Sequence, residues 1–458
     1  MAPALGRYGI VVAACCILVP RAARAQDTQY WLTTYGTQAQ LLGGIVLGSP
    51  PDISSTYYNP GGLALIKNIE AVLSGGAYRY TTMTDENGLG SGRSLSTSSL
   101  ASLPNMFAGE LPLLKHDRLA YVVLARQAFD GRVQARGLAP DTSIDVPNLE
   151  FFSGNVWIEE VLNETWAGLT WARPMNPHLG FGVSTFVAVR SARARYTGIA
   201  QALDSAGDGA MAYGNRDFSY FNWSVLWKIG LTAQYPKWTV GLTVTTPSVG
   251  LFGSGSAGRD QTLVDQGIST LPTALATDFQ EDVKSTYKHP LSIGGGVSYV
   301  MGHARVHGSV EWFNKIAAYR VLETQGFTSQ TSGQAMTNDV IQETAAVLNW
   351  GVGFEHHFSS KLAAYGAFRT DKSALPDSTT ANSTVSHWDL SHVSGGTAFS
   401  WKKMDLVIGL DFAFGSSAPR RGIPPQIGGS PDIPADAEIK YRAITAMIGF
   451  KVAFESGH

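Results

Sequence analysis

Long stretches of this chain alternate between apolar and polar residues with a period of two. The clearest stretch covers residues 222–235, and it separates into an apolar and a small or polar set: Trp223, Val225, Trp227, Ile229, Leu231, Ala233 and Tyr235 against Asn222, Ser224, Lys228, Gly230, Thr232 and Gln234. Leu226 is the one apolar residue in the polar set. A period of two is that of a β-strand, whereas a helix repeats every 3.6 residues. The alternation therefore predicts an all-β fold.

The alternating segments favour a membrane β-barrel over a soluble sandwich. They run for about 12–18 residues, whereas strands of soluble proteins average about 5–6. A lysine that faces lipid at mid-depth destabilises a barrel by about 2–4 kcal/mol. The alternation instead places Lys228 on the face of small and polar residues, which suits a lumen. After residue 25 no run of about 18 apolar residues occurs, which excludes helical spans. Aromatic residues recur near the segment ends, where interfacial girdles lie: Trp223, Tyr235, Trp238, Trp350, Phe358, Trp388 and Trp401.

Short and long connections alternate along the chain, as they do between the periplasmic and extracellular ends of an outer-membrane barrel. Six short turns and seven longer polar loops make thirteen connections and hence fourteen strands. The residues of strands 11 and 12 alternate poorly, which leaves their registers open. The predicted spans are 69–80, 99–113, 117–136, 155–174, 178–197, 217–235, 237–253, 284–301, 303–322, 342–358, 360–374, 385–401, 404–418 and 438–454.

The N-terminus is typical of an exported protein. Arg7 precedes a short apolar run, and Ala23-Arg24-Ala25 fits a signal-peptidase site, so residues 1–25 are predicted to be a cleaved signal peptide. Val12-Ala13-Ala14-Cys15 also fits a lipoprotein cleavage box, which leaves cleavage before Cys15 as an alternative. Both cysteines lie within residues 1–25, so the mature chain has no disulfide, thiol nucleophile or cysteine-bound metal.

The charge of the mature chain argues against nucleic acid as a partner. The signal peptide contains three of the 34 basic residues and no acidic residue. The remaining 31 basic residues face 36 acidic ones, a net charge of −5. Nucleic-acid binding requires a basic surface.

The last predicted strand carries an assembly signal. Its apolar face ends in an aromatic residue: Ile444, Ala446, Ile448, Phe450, Val452 and Phe454. This pattern resembles the C-terminal signal that the barrel-assembly machinery recognises in outer-membrane proteins. Residues 455–458 follow Phe454 as a short tail, where such proteins usually end in Phe. We therefore expect residues 69–454 to form a β-barrel that spans the bacterial outer membrane.

Residues 26–68 do not alternate, and they carry a compact motif. Asp52-Ile53-Ser54 and an aromatic pair precede Asn59-Pro60-Gly61-Gly62-Leu63. This order resembles the N-terminal plug of the FadL/OmpP1/TodX family of outer-membrane transporters, whose motif usually has Ala where this chain has Gly61. Residues 238–243, 246–248, 252–253, 289–296 and 310–313 are similar to the family pattern as well.

The resemblance implies a fourteen-stranded barrel with residues 26–68 as a plug (hatch) inside the lumen. It also implies passive uptake of hydrophobic small molecules, either long-chain fatty acids or aromatic or aliphatic hydrocarbons. Substrate would bind in the lumen, where Tyr30 and Trp31 are candidate pocket residues. It would leave sideways into the membrane where strand 3 is interrupted, for which Arg126, Gln127 and Gly131 are the candidates. Partners would be the substrate and outer-membrane lipid, including lipopolysaccharide, and the barrel is expected to be a monomer.

Other functions find less support. Gly253-Ser254-Gly255-Ser256-Ala257-Gly258 matches a nucleotide-binding pattern, but no helix follows it, so no cofactor is expected. His356 and His357 point to opposite faces of a strand, so no metal site is expected. Two alternatives to transport remain: an adhesin or phage-receptor scaffold, and an outer-membrane lipase, for which His387 and His392 lack a recognisable serine partner.

Charged residues on the predicted lumenal face have two interpretations. They either bind the head group of a ligand or form salt-bridge networks that stabilise the lumen. The residues concerned are Lys228, Glu311, Glu355, Arg369, Asp405 and Asp411.

Overall fold

A computed structural model describes residues 28–49, 51–86, 94–114, 116–139, 149–266, 273–376, 382, 388–417 and 438–454. The predicted signal peptide, both alternative cleavage sites, His387 and the 455–458 tail lie outside these residues. The predicted boundaries of the plug and barrel remain expectations.

Fourteen antiparallel strands form a closed barrel, as the sequence predicts. Around the ring the order is β1 to β7, then β10, β11 and β16 to β20, and β20 pairs with β1 to close it. The ring strands are β1 (Ile69–Glu86), β2 (Leu95–Glu110), β3 (Arg118–Ala139), β4 (Leu149–Asn176), β5 (Leu179–Asp204), β6 (Gly209–Gln234), β7 (Trp238–Thr245), β10 (Ser292–Met301), β11 (Ala304–Phe313), β16 (Val347–His357), β17 (Leu362–Asp371), β18 (Trp388–Trp401), β19 (Met404–Ser417) and β20 (Glu438–Phe454).

Six further strands extend the ring at the end of the long loops. The predicted strand 237–253 is broken at residues 246–248, where Pro247 lacks an N–H to donate. The predicted strands 284–301, 303–322 and 342–358 are likewise broken. The extending strands are β8 (Val249–Asp265), β9 (Ala274–Lys284), β12 (Ile316–Leu322), β13 (Phe327–Thr328), β14 (Ala335–Met336) and β15 (Val340–Thr344).

Strands β4, β5 and β6 are 28, 26 and 26 residues long and therefore longer than predicted. Residues 198–216 were predicted to form a loop, but β5 and β6 continue to a tight turn over residues 205–208. Paired strands satisfy each other's backbone hydrogen bonds even where neither face is apolar. Apolar alternation therefore marks only the part of each strand that faces lipid.

The apolar face of the barrel points outward. Ile229 and Leu231 are 38% and 41% exposed, whereas Lys228 on the alternate face is 3% exposed. Leu226, the exception in the polar set, is fully buried and joins an interior apolar cluster. The apolar residues of the last strand, such as Ile444 and Ile448, also face outward. This is the surface of a transmembrane barrel.

The N-terminal residues 28–68 lie against the inner wall of the barrel. They contain three four-residue helices, α1 (Gln38–Leu41), α2 (Ser55–Tyr58) and α3 (Pro60–Leu63). No helix in the described part of the chain is long and apolar enough to cross a membrane. Leu41, Ile53 and Leu63 are fully buried, and this N-terminal segment forms the centre of the largest apolar cluster.

The registers of the eleventh and twelfth ring strands, β17 and β18, are now defined by pairs such as Ala363 with Ala398. Part of their inner faces is apolar because it packs against the N-terminal segment, and Ala363, Tyr365 and Ala398 belong to the same cluster as Leu41. The rest of the inner faces carries the buried polar residues Arg369, Asp371 and His392, and the outer faces include Thr370 and Ser391. The contrast between the two faces is therefore weak, which removes the alternation from the sequence.

Candidate functional site

The motif that begins at Asn59 fastens the N-terminal segment to the barrel wall. The Asn59 side chain caps α3 by accepting a hydrogen bond from Gly61 N at 3.1 Å, and Pro60 occupies the first helical position. Its Nδ2 donates to Leu47 O at 2.9 Å within the segment and to Leu231 O of β6 at 3.0 Å. A single buried amide thus joins helix, segment and wall.

Glycine at position 61 is required by the closeness of the wall. A Cβ on Gly61 would lie 2.7 Å from Gly180 O and 2.8 Å from Gly230 O. Backbone atoms of two strands cannot move aside easily, so an alanine here would clash. The departure from the family's Asn-Pro-Ala pattern therefore follows from how closely this segment approaches β5 and β6. Gly62 and Leu63 complete α3 and are buried.

The candidate pocket residues Tyr30 and Trp31 are held by side chains of β11 and β17. Tyr30 stacks on Phe313, with the ring centroids 4.2 Å apart. Trp31 N donates to Asp371 Oδ1 at 2.9 Å, and Trp31 O accepts from Arg369 Nε at 3.2 Å. The Trp31 indole N–H donates to Glu311 at 2.8 Å.

A small enclosed cavity lies beside these residues. Four of its eleven lining residues are aromatic, the Lys228–Glu311 pair supplies two charges, and its volume is about 20 Å³. A water molecule needs about 10–15 Å³ on this measure, whereas a cavity of about 150 Å³ binds benzene. This cavity is therefore large enough for a water molecule and too small for a hydrocarbon. The cavity is lined by Tyr30, Trp31, Thr33, Thr34, Gly43, Gly44, Leu47, Tyr57, Tyr58, Lys228 and Glu311.

The hydrogen-bonded wall is interrupted between β2 and β3. These strands pair only from Glu110 with Ala120 to Met106 with Leu124. Beyond that point the described residues 94–105 and 125–139 form no ladder with each other, although Thr97 Oγ1 still donates to Arg132 O at 2.7 Å. On its other side β3 continues to pair with β4 through Ala139. Of the two seams of β3, the interruption therefore affects only the one with β2.

A bulge on each strand marks the start of this interruption, which we term the β2–β3 gap. Arg126 is the extra residue in β3, because Ala125 and Gln127 pair with consecutive residues of β4. Asn105 is the extra residue in β2, between Pro104 and Met106. Gly131 pairs in regular register with Glu160, so the irregularity lies at Arg126 and not at Gly131.

The N-terminal segment takes the place of the missing ladder. Tyr35 OH donates to Ala125 O at 3.0 Å, and Arg126 Nη2 donates to Tyr30 O at 2.8 Å. Asn105 Nδ2 donates to Thr34 O at 3.2 Å. Residues 30–35 therefore run along the inside of the gap and bind both of its edges. Burial raises the pKa of the Tyr35 hydroxyl well above its ordinary value, so it remains a neutral donor.

Sequence reasoning missed Asn105 and Tyr35. Pro104 is the available signal for the first, because proline inside a predicted strand marks a bulge or an edge. Nothing in the sequence distinguishes Tyr35 from other aromatic residues of the segment. Gln127, which was predicted, accepts from Arg190 Nη1 at 2.8 Å on the lumenal side.

Most charges in the lumen are paired with each other. Arg190 binds Glu164 at 2.8 Å, and Lys228 lies 3.8 Å from Glu311. The other predicted lumenal charges are paired in the same way: Arg305 with Glu355, Arg369 with Asp411, and Lys451 with Asp405. These contacts support the salt-bridge interpretation for all six residues.

Arg126 differs from these cations. It is 6% exposed, and its guanidinium lies over the Trp166 ring at 5.6 Å. Among the described residues no carboxylate lies within 4.0 Å of it, and its Nη1 has no hydrogen-bond partner there. Arg126 is thus a buried cation beside the cavity and at the gap, with one donor group free.

His392 does not lie at an outer rim where a lipase would need it. It is 1% exposed, and its Nδ1 lies 3.0 Å from Asp411. Within the described ranges no three His, Cys, Asp or Glu side chains come together as a metal site.

Comparison with known proteins agrees with this geometry. No protein-family model matches the sequence, and no curated protein matches it. The structure is similar to the P. putida toluene transporter TodX, with a TM-score of 0.61, 12% identity and coverage of 93% of this chain and 99% of that chain. It is similar to a Pseudomonas aeruginosa FadL homologue, with a TM-score of 0.56, 11% identity and coverage of 93% and 100%.

A third solved structure, the CymD monoaromatic hydrocarbon channel, has a TM-score of 0.55, 14% identity and coverage of 93% and 99%. At these identities the likeness establishes the fold. The resemblance inferred from the sequence is therefore confirmed for the fold.

Proposed function

We propose that this chain is an outer-membrane channel of the FadL/OmpP1/TodX type for passive uptake of hydrophobic compounds. Similar folds belong to proteins described as toluene transporters and a monoaromatic hydrocarbon channel. The observation that carries the proposal is the β2–β3 gap, which lies next to an aromatic-lined cavity. A porin for polar solutes would need an aqueous channel, not a filled lumen.

In the proposed mechanism the substrate leaves sideways through the β2–β3 gap. Edges without a ladder are costly in hydrocarbon unless something satisfies their backbone groups. Here Tyr35 satisfies Ala125 O from the lumenal side. A hydrophobic substrate that moves through the gap passes from cavity to bilayer without crossing water.

The N-terminal segment acts as the proposed plug and gate. Tyr30 and Trp31 line the cavity, and residues 30–35, to which they belong, bind the edges of the gap. A single displacement of these residues would therefore enlarge the cavity and, at the same time, break their hydrogen bonds to the edges of the gap. The anchor at Asn59 lies outside this stretch, so the rest of the segment can stay docked.

The proposed substrate class is an apolar chain with a carboxylate head group. Arg126 supports this choice because it is a buried cation without a carboxylate partner. A fatty acid would supply the missing anion, and a charge-assisted pair is about twice as strong as a neutral hydrogen bond. A neutral hydrocarbon would not supply an anion for the Arg126 guanidinium.

Uptake by cells tests the proposal. The chain is expressed in a bacterium that lacks its own transporter for hydrophobic compounds, and entry of labelled oleate, toluene and a small sugar is measured. We expect faster entry of oleate with no change for the sugar. If a folded barrel in the outer membrane changes the uptake of neither oleate nor toluene, the chain is a non-transporting scaffold such as an adhesin or phage receptor.

A further inference from the structure

A polar groove crosses the outer surface of β5, β6, β8 and β9. Its volume is about 650 Å³. The wall is recessed because serines form its floor, and they point away from the lumen: Ser191, Ser219, Ser254 and Ser256. Hydroxyl groups facing lipid hydrocarbon would be costly, so the depth of the groove in the membrane decides what it meets.

Strand length places this groove at the level of the lipid head groups. Tyr235 adjoins the short turn after β6 and marks the periplasmic interface. Trp223 is twelve residues further along β6, about 30 Å at 3.3 Å per residue and a tilt of about 40°. Ser219 is sixteen residues along, about 40 Å. The hydrocarbon core is about 30 Å thick, so the groove lies just beyond it, among outer-leaflet head groups.

Arg193 is the one cation among the residues that line this groove. It is exposed, and its register partners are Val161 on β4 and Ser219 on β6. No described residue forms an ion pair with it. Arg195, two residues along the same face, lies instead between Glu159 and Asp217. Of these two arginines, Arg193 lines the groove and Arg195 does not.

The rim of the groove adds acceptors and aromatic surface. Glu281 and Asp282 form a bulge in β9 opposite Ser256, and Asp282 has a φ of +53°, in the left-handed region. Just below the groove, towards the hydrocarbon, Trp223 and Phe252 stack with centroids 5.2 Å apart. The groove thus has a cation, carboxylates and hydroxyls above an apolar platform.

We infer that this groove binds the phosphorylated sugar head group of an outer-leaflet glycolipid. Arg193 would bind the phosphate, for which a guanidinium is suited by its fork of donors. The serines and the carboxylates of Glu281 and Asp282 would bind sugar hydroxyls, and the acyl chains would lie on Trp223 and Phe252. An anionic phospholipid fits less well, because its head group has fewer hydroxyls to offer to the serines and the two carboxylates.

This inference concerns a second site, separate from the lumen, and rests only on the proposed outer-membrane location. Its test uses the full mature barrel purified in detergent. Native mass spectrometry measures retention of added deep-rough lipopolysaccharide, with phosphatidylglycerol and inorganic phosphate as separate probes. Arg193→Gln is the test variant, and Arg195→Gln is the matched control on the same strand and face. Heat-modifiable migration in gels confirms that each variant is folded.

We expect wild type to retain one lipopolysaccharide, Arg193→Gln to lower the occupancy at least fivefold, and Arg195→Gln to stay within twofold of wild type. Ser254→Leu, which fills the floor without changing charge, should also lower the occupancy at least fivefold. Equal retention by wild type and Arg193→Gln, or equal loss in Arg195→Gln, would overturn the inference. Retention of phosphatidylglycerol or phosphate as strong as that of lipopolysaccharide would overturn it as well.

Discussion

Replacing Asn59 by alanine should release the N-terminal segment from the wall while leaving the barrel intact. The side chain is fully buried and makes three hydrogen bonds, to Gly61 N, Leu47 O and Leu231 O. Loss of a helix cap costs about 1 kcal/mol. Loss of each of the other two bonds costs about 1 kcal/mol more. The docked state should therefore be destabilised by about 3 kcal/mol, or about a hundredfold in equilibrium constant.

Hydrogen exchange measured by mass spectrometry checks this value directly. In Asn59→Ala, amides of residues 51–66 should exchange about a hundredfold faster, because they exchange through the undocked state. Amides of β6, residues 223–234, serve as the internal reference and should not change. Lys67→Ala, an exposed change in the same segment, is the matched control. Unchanged exchange in residues 51–66, or equally faster exchange in β6, would refute the anchoring role of Asn59.

Three further substitutions test other parts of the structure. Arg126→Met should weaken oleate binding at least tenfold in equilibrium dialysis and leave toluene binding within twofold of wild type. The exposed control Arg132→Met should change the binding of neither ligand. An equal loss of oleate and toluene binding in Arg126→Met would contradict a carboxylate site. Leu226→Ala should lower the free energy of unfolding by about 2–5 kcal/mol in urea titration, because it leaves a cavity against the N-terminal segment. Ile229→Lys should lower the free energy of unfolding in lipid vesicles by about 2–4 kcal/mol, because this position faces lipid near mid-depth. An unchanged free energy of unfolding would mean that Ile229 has been assigned to the wrong face.

Alternation predicted the barrel because lipid imposes it. Every lipid-facing position must be apolar and every lumenal neighbour is free to be polar, so residues such as Ile229 and Lys228 could be assigned from sequence. The signal fails where that contrast is absent. Residues 198–216 face water beyond the membrane, and the inner faces of β17 and β18 are apolar where the N-terminal segment covers them, which weakens their contrast with the outer faces.

The candidate site was only partly readable from sequence, for a physical reason. Asn59 and Arg126 could be singled out by a motif and by a polar interruption in an apolar strand. Their partners are backbone carbonyls, such as Leu231 O and Tyr30 O, and any residue supplies a carbonyl. Contacts of this kind depend on where the chain passes, so the bridging of the β2–β3 gap could be found only in the structure.

The most direct test of lateral uptake is to lock the β2–β3 gap. Thr97 and Arg132 lie on its two edges, and residues 26–458 contain no cysteine, so Thr97→Cys/Arg132→Cys is designed to form one disulfide across it. Gln234→Cys/Thr239→Cys, a directly opposed pair in an intact ladder, is the control. The account predicts that oxidation abolishes oleate uptake by the first variant only and that a reductant restores it. Full uptake through a barrel shown to be crosslinked at 97 and 132 would contradict lateral release.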